Sequence, residues 1–367
     1  MAAGEALAIS IPSAAIAPLR KLSELEPASP VVWSNLGRAY AALANQAFEK
    51  IPPGSGYFFA LAAESRSKLN QNRTAFLFYR KALEKLPRHR GLHLGLAGVY
   101  RRTGHEDWAR LEEAAEASLG PLDCAARRGA AECLFAAGRY LQLASSLLTV
   151  PDVQYWRVRA YDALSRQALV KLGNLPPSVE SWRFQAELAR DQGRHADAVK
   201  AWQAAHVLSP ADVSIDLELA SSLILTREYD EARLIAGRLL ASEPDAPEFN
   251  FLTGDLWLNQ QEAAKALPYL EKAAAKAPRF LPARASLGRA LMQVGRPVDA
   301  VAHLEAALSL DTDASLHFQL ARALQAAGRV EEAKQAMVKY QALQAKLGAA
   351  SAEVEAETQI TGPVLSK

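Results

Sequence analysis

The sequence predicts an all-α fold of stacked antiparallel helix pairs, and three recurring features support that prediction. A small residue returns every 34 residues, and once after 33, in the second half of the chain: Ala198, Ala232, Ala266, Ala300 and Ala333. Prolines that end helices share the 34-residue interval: Pro210, Pro244 and Pro278. Glycines suited to the turn between two paired helices stand at Gly193, Gly295 and Gly328. A period of this length indicates one helix pair per repeat, and neighbouring pairs must stack to bury their apolar faces.

The segment from Trp33 to Tyr40 is the clearest single copy of the repeat, and it reads Trp-Ser-Asn-Leu-Gly-Arg-Ala-Tyr. A tryptophan, a Leu-Gly pair and an aromatic residue at this spacing are typical of the first helix of the tetratricopeptide repeat. The chain resembles that family over roughly residues 13–347. The resemblance implies a right-handed superhelical solenoid in which the first helix of each pair lines a concave groove. It also implies a non-catalytic scaffold that binds other proteins.

We expect a partial N-terminal repeat or cap over residues 1–29, then ten repeat units, then a C-terminal tail over residues 348–367, which should be frayed from Gln359 on. A first block, residues 30–150, holds the units 30–55, 56–89, 90–123 and 124–150. A second block, residues 151–347, holds the units 151–178, 179–212, 213–246, 247–280, 281–313 and 314–347. Residues 13–27 read as a lone second helix closed by Pro27.

Two of these units are short and resemble each other. The pattern that begins Arg-Ala-Tyr at Arg38 returns 121 residues later at Arg159, with matching Leu, Gln, Ala and Lys positions. Both units lack a glycine turn and end in Pro-Pro. The match indicates duplication of a block of about four repeats. In each short unit, either one longer helix replaces the pair or the second helix is stunted.

Charge balance, apolar runs and the N-terminal segment argue against several classes of protein. With 42 basic and 40 acidic residues the formal net charge is +2, which disfavours a nucleic-acid partner. No apolar run reaches the length of a membrane-spanning helix. The first twelve residues lack the basic segment of a signal peptide, so we expect a cytoplasmic protein. The high alanine and arginine content is typical of a bacterial protein.

The two cysteines, Cys124 and Cys133, are expected to be reduced. If both lie on one helix, their nine-residue separation places the Cα atoms roughly 13 Å apart, too far for a disulfide. This prediction favours a reducing compartment.

Catalytic and cofactor motifs are not found. The chain has no glycine-rich phosphate loop after a strand and no nucleophile elbow. His89 and His93 have the spacing of two metal ligands on one helix, but His89 falls in the predicted turn between units. We therefore expect no cofactor, no metal and no enzymatic activity.

The C-terminal half places large apolar residues where the family usually has polar groove residues. The candidate peptide-binding residues there are Leu217, Ile224, Leu225, Phe251, Leu258, Met292 and Phe318. An exposed apolar surface of a few hundred Å² usually marks an interaction site. Two alternatives remain open: close packing of neighbouring first helices buries these side chains, or the C-terminal tail covers them.

The middle of the predicted groove is charged. Its candidate peptide-binding residues are Arg101, Arg102, Arg128, Tyr155, Arg159, Arg183 and Arg190. Acidic residues alternate with the arginines, so one interpretation is a ladder of ion pairs between neighbouring repeats. The other is a site for an acidic or carboxylate-bearing peptide, which arginine would bind through paired hydrogen bonds.

The function that these patterns favour is a scaffold for a protein or peptide partner. We expect an amphipathic helix or an extended segment, with its apolar anchors toward residues 213–318 and its acidic residues toward residues 101–190. One alternative is a regulatory or assembly subunit that uses the convex second helices, at positions such as Trp202 or Tyr269. Another is a helical-repeat RNA binder. The partner's identity and the oligomeric state do not follow from the sequence.

Overall fold

The structure is a computed structural model that describes residues 11–127, 129–357 and 359–363. Throughout these residues the secondary structure is helical and without strands, which confirms the all-α prediction. The chain divides into two compact units. Unit 1 comprises Met1–Ser181 together with Glu353–Lys367, and unit 2 comprises Trp182–Ala352. Among the described helices, none is both long and apolar enough to cross a bilayer.

Unit 1 contains short helix pairs between two long helices. Its helices are α1 (Pro12–Leu25), α2 (Pro30–Phe48), α3 (Gly56–Lys68), α4 (Asn72–Lys85), α5 (Leu92–Arg102), α6 (Glu106–Ser118), α7 (Ala131–Ala136), α8 (Tyr140–Ala144) and α9 (Pro151–Gly173). The pairs α3–α4, α5–α6 and α7–α8 occupy three successive predicted repeats. Each of the two short predicted units is instead a single long helix, α2 or α9, which was the first of the two alternatives.

Helices α2 and α9, which carry the duplicated sequence, pack against each other in antiparallel orientation. Near one end, the Ser165 hydroxyl donates a hydrogen bond to the Gly37 carbonyl oxygen over 2.9 Å. Further along α2, the rings of Tyr40 and Tyr161 have centroids 6.3 Å apart. These two tyrosines are the equivalent residues of the two copies. The duplicated segments therefore contact each other at equivalent positions. The helix that follows the block of repeats, α9, packs against the helix that begins it, α2.

The cysteine prediction is wrong, because the segment before α7 is a turn. The Asp123 carboxylate accepts hydrogen bonds from backbone N–H groups two and three residues later. Gly129 has a positive φ of 85°, so the helix begins only at Ala131. The turn brings the Cα atoms of Cys124 and Cys133 to 5.5 Å, and the two residues form a disulfide. The expectation of a reducing compartment thereby loses its basis.

Unit 2 is a regular stack of helix pairs. Its helices are α10 (Val179–Asp191, from Trp182 on), α11 (His195–Leu208), α12 (Val213–Thr226), α13 (Tyr229–Ser242), α14 (Pro247–Asn259), α15 (Ala263–Lys276), α16 (Leu281–Gln293), α17 (Pro297–Ala307), a 3₁₀ turn (Leu308–Leu310), α18 (Ser315–Ala326) and α19 (Val330–Glu357, up to Ala352). The first part of the predicted tail, from residue 348, is still helical, since α19 continues to Glu357.

Small residues bring the paired helices of unit 2 close together. The recurring alanines Ala198, Ala232, Ala266 and Ala300 are fully buried. On the facing helices, Gly254 and Gly288 leave no room for a side chain, because Leu270 and Leu304 fill the space where a Cβ would stand. The even-numbered first helices α12, α14, α16 and α18 also contact one another in sequence. We call the surface formed by these helices the first-helix face of unit 2.

The C-terminal tail also departs from the prediction. We expected fraying from Gln359 on, or a tail folded over the apolar residues of the C-terminal half. Instead Gln359–Pro363 lies against unit 1, where Ile360 packs on the core and Thr361 is hydrogen bonded. The last four residues fall outside the described part of the chain.

Candidate functional site

The seven apolar candidates of unit 2 divide by exposure. Ile224 and Leu258 are buried, at 7% and 6% exposure, as expected if neighbouring first helices pack closely. Leu225 and Phe318 are exposed, at 59% and 38%. The other three, Leu217, Phe251 and Met292, are half-buried.

The Phe251 side chain packs partly against the turn before α16. Its ring packs edge-on against Phe280, with centroids 5.0 Å apart. Leu225 lies at the end of α12, beside a cavity of about 670 Å³ that is bordered by Arg227, Tyr229 and the polar end of α14. That cavity is at the turns of the helix pairs, so Leu225 is separated from the middle of the first-helix face.

A cavity of about 350 Å³ lies between the first helices α16 and α18, on the first-helix face. Its lining residues are Arg289, Met292, Gln293, Phe318, Gln319 and Arg322. Each helix contributes residues three or four positions apart, which project from one side of a helix. The two apolar candidates Met292 and Phe318 are thus brought together, with an arginine from each helix beside them.

The two arginines of this cavity differ in their partners. Arg289 donates hydrogen bonds to the Asp255 carboxylate over 3.3 Å and to the Ser286 hydroxyl over 2.9 Å. The Arg322 guanidinium lies 5.9 Å from the Phe318 ring centroid, and within the described residues it forms no ion pair. Arg322 is therefore the cation of this site that has charge to offer a ligand.

An amide acceptor of the same cavity is also without a partner. The Gln319 side-chain oxygen is buried and accepts no hydrogen bond from any described residue. Buried polar atoms are nearly always hydrogen bonded, and leaving one unpaired costs roughly 1–3 kcal/mol. A ligand N–H group placed here would satisfy it.

The other predicted arginines of unit 2 connect successive repeats. Arg183 bonds the Asp212 carboxylate over 2.5 Å and the Ser214 hydroxyl over 2.6 Å. Arg190 bonds Glu218 over 2.7 Å. These contacts, like the one between Arg289 and Asp255, are the ladder of ion pairs that was one of the two interpretations.

In unit 1, Arg101 and Arg102 also have protein partners. Arg101 pairs with Glu106 over 3.3 Å and with Glu113. Arg102 donates to the Asn72 side chain over 2.8 Å and to the Ser67 hydroxyl over 2.6 Å. Arg128 falls outside the described residues.

Tyr155 and Arg159 belong to a network inside unit 1. The fully buried Tyr155 hydroxyl donates to Glu64 over 2.7 Å, and Arg159 donates to Tyr155 over 3.1 Å. Burial raises the pKa of Tyr155 well above its usual value. The Arg159 guanidinium also lies 4.8 Å from the Phe135 ring centroid. Both candidate side chains therefore have hydrogen-bond partners within unit 1.

The remaining sequence candidates have structural roles as well. His93 contacts the Glu112 carboxylate over 2.5 Å, and this hydrogen bond raises the pKa of the imidazole. His89 stacks on Trp156, and burial lowers the pKa of His89. Among the described residues no cluster of three metal-ligating side chains occurs. Trp202, a candidate for a convex contact, is buried.

The site residues predicted from the sequence do not include Gln319, Arg289 or Arg322. Arg289 and Arg322 stand 33 residues apart at the same repeat position, one turn of helix from Met292 and Phe318 respectively. That common register was the available signal. No sequence signal indicated the unpaired oxygen of Gln319, because its burial depends on how the two helices pack.

Comparisons with known proteins find tetratricopeptide repeat matches over part of the chain. Two sequence models, both described as tetratricopeptide repeat, match the chain, one over residues 158–213 and 217–279 and the other over residues 258–316. A search of curated proteins gives no match.

Solved structures resemble parts of the chain. The match to MamA AMB-1 spans 44% of this chain and 96% of the MamA chain, with 27% sequence identity and a TM-score of 0.37. The thermophilic TPR protein TTC0263 from Thermus thermophilus is 18% identical, covers 50% of this chain and 100% of its own, and has a TM-score of 0.40. MamA from Desulfovibrio magneticus RS-1 is 18% identical, covers 46% and 96%, and also has a TM-score of 0.40.

Proposed function

We propose that unit 2 binds a peptide segment of a partner on its first-helix face. The proposal proceeds from the match of residues 158–213, 217–279 and 258–316 to models of the tetratricopeptide repeat, a class of protein-interaction scaffold. The observation that carries the proposal is the cavity between α16 and α18. It combines half-exposed apolar side chains, an arginine without a carboxylate partner among the described residues and a buried amide oxygen without a donor.

The chemistry of the cavity specifies the ligand. Met292 and Phe318 accept an apolar side chain, whose burial contributes roughly 1.5–3 kcal/mol before association costs are subtracted. The Arg322 guanidinium donates a pair of hydrogen bonds to a carboxylate of the ligand. The Gln319 oxygen accepts a backbone N–H group. We therefore expect a ligand in which an acidic residue lies close to a large apolar residue, as in an acidic amphipathic segment.

The first test replaces Phe318 by aspartate and measures binding of peptides selected from a displayed library. We expect the Phe318→Asp variant to bind at least tenfold more weakly, because the substitution removes an apolar wall and adds a charge that repels an acidic ligand. The matched control is Leu234→Asp, which makes the same kind of change at an exposed leucine on the second helix α13. Equal binding by both variants, with circular dichroism unchanged, would exclude this cavity.

A second test asks whether Arg322 binds the ligand carboxylate. Arg322→Gln is combined with a Glu→Gln or Asp→Asn change in the selected peptide, and all four pairings are titrated by calorimetry. We expect each single change to weaken binding roughly three- to tenfold and the two together to cost little more than either alone. Strictly multiplicative losses would show that the arginine and the carboxylate do not interact.

A further inference from the structure

A groove between α4, α5 and α6 of unit 1 holds the segment Gln359–Pro363 of the same chain. The Tyr100 hydroxyl donates a hydrogen bond to the Thr361 carbonyl oxygen over 2.7 Å. Arg80 donates to the Thr361 hydroxyl over 3.4 Å. Ile360 packs against the apolar core of unit 1. The groove thus contacts a backbone carbonyl, a hydroxyl and an aliphatic side chain of successive residues.

Gly362 lies close to the side chain of Trp108. A Cβ atom at this position would lie 3.1 Å from Trp108 Cε2, which is tighter than nine in ten real Cβ contacts, so the indole would have to shift by a few tenths of an ångström. The Trp108 ring stacks on His105, with centroids 4.2 Å apart, and packs edge-on against Tyr100 at 5.5 Å. These contacts hold the indole in place, so the groove favours glycine here.

The Tyr100 hydroxyl lies at the floor of the groove. With the segment in place Tyr100 has no solvent-exposed surface, and burial raises its pKa to about 12, so its hydroxyl remains a donor throughout the physiological pH range. A buried hydroxyl without an acceptor is costly. The Thr361 carbonyl supplies that acceptor, and Phe76 and Trp108 form apolar walls beside Tyr100.

We propose that this groove is a peptide-binding site for an extended segment with an aliphatic residue, a hydroxyl residue and a glycine in succession, and that Gln359–Pro363 occupies it as an intramolecular ligand. An external segment of the same chemistry binds only when the chain's own segment is displaced. The site lies on α4, α5 and α6 of unit 1 and goes beyond the function proposed for unit 2. Either proposal can fail while the other stands.

The test uses the full-length chain with its own segment disabled. The Ile360→Asp, Gly362→Val double variant removes the aliphatic contact and adds a clash with Trp108. A synthetic peptide with the sequence of residues 357–367 is titrated into this variant and into the wild type by calorimetry. We expect one-to-one binding to the variant and at least tenfold weaker binding to the wild type, because a tethered ligand competes at an effective concentration of order millimolar.

Controls on the peptide and on the groove keep the result interpretable. Peptides carrying Ile360→Asp or Gly362→Val leave the protein untouched, and we expect either to lose binding to the double variant. Adding Tyr100→Phe to that variant should weaken the wild-type peptide roughly fivefold through the lost hydrogen bond. The conservative Ile360→Val chain should behave as the wild type.

Four outcomes would overturn the proposal. The peptide binds neither protein although both remain helical, or it binds both with equal affinity, or it tolerates valine at the glycine position. A concentration-dependent dimer in sedimentation, present in the wild type and lost in the double variant, would show that the segment binds a second copy and would refute its role as an intramolecular ligand.

Discussion

Reduction of the Cys124–Cys133 disulfide is expected to lower the free energy of unfolding of unit 1 by about 2–3 kcal/mol. The bridge closes a short loop at the least regular part of the unit, where α7 and α8 have only six and five residues. Helices this short do not persist by themselves in water. The disulfide fixes the turn before α7 and thereby holds Cys133 and Leu134 in buried positions.

Urea unfolding with and without a reductant measures this effect. The Cys124→Ser, Cys133→Ser double variant should unfold at the urea concentration of the reduced wild type, and reductant should not change it further. An unchanged midpoint for the wild type after complete reduction, verified by thiol titration, would mean that the bridge contributes no stability.

Gly288→Ala should destabilise unit 2 by about 1–3 kcal/mol, although alanine is the better helix former. The added Cβ would stand 2.6 Å from Leu304 Cγ and 2.7 Å from its Cδ2. Leu304 is fully buried in the core of unit 2. The paired helices α16 and α17 must therefore separate, or the leucine must leave its preferred rotamer.

Gly237→Ala is the matched control, with the opposite sign. Gly237 is an exposed glycine inside α13, and a Cβ there has no atom within 4 Å. Alanine should stabilise this helix by about 0.5–1 kcal/mol. Thermal melts of both variants and of the wild type measure these changes in stability. Two shifts of the same sign would contradict the assignment of Gly288 to a close helix contact.

Local sequence signals predicted most of the helix pairs and failed where distant segments meet. The alanine, proline and glycine intervals located the pairs of unit 2 because each acts within one repeat. They carried no information on the pairing of Tyr40 with Tyr161, which joins residues 121 positions apart. The cysteine prediction failed because it assumed one helix through a segment that begins with Pro121 and contains Gly129.

The candidate site was predictable only in part, for a related reason. Repeat position identified Met292 and Phe318 as residues of the first-helix face, and the structure brings them together. The same rule selected Ile224 and Leu258, which are buried. Whether such a side chain faces solvent depends on the distance between neighbouring first helices, and one repeat read alone does not contain that distance.

The contact between α2 and α9 has a consequence for how this chain can change in length during evolution. In unit 2 the described pairs contact mainly their neighbours, so stability is close to a sum over pairs and interfaces. Duplication or loss of one pair there would leave the remaining interfaces intact. In unit 1 the three pairs from α3 to α8 lie between two helices that must meet, so gaining or losing a pair would displace α9 from α2. Duplication of a helix pair is therefore compatible with the packing of residues 182–352 and incompatible with the packing of the block before them.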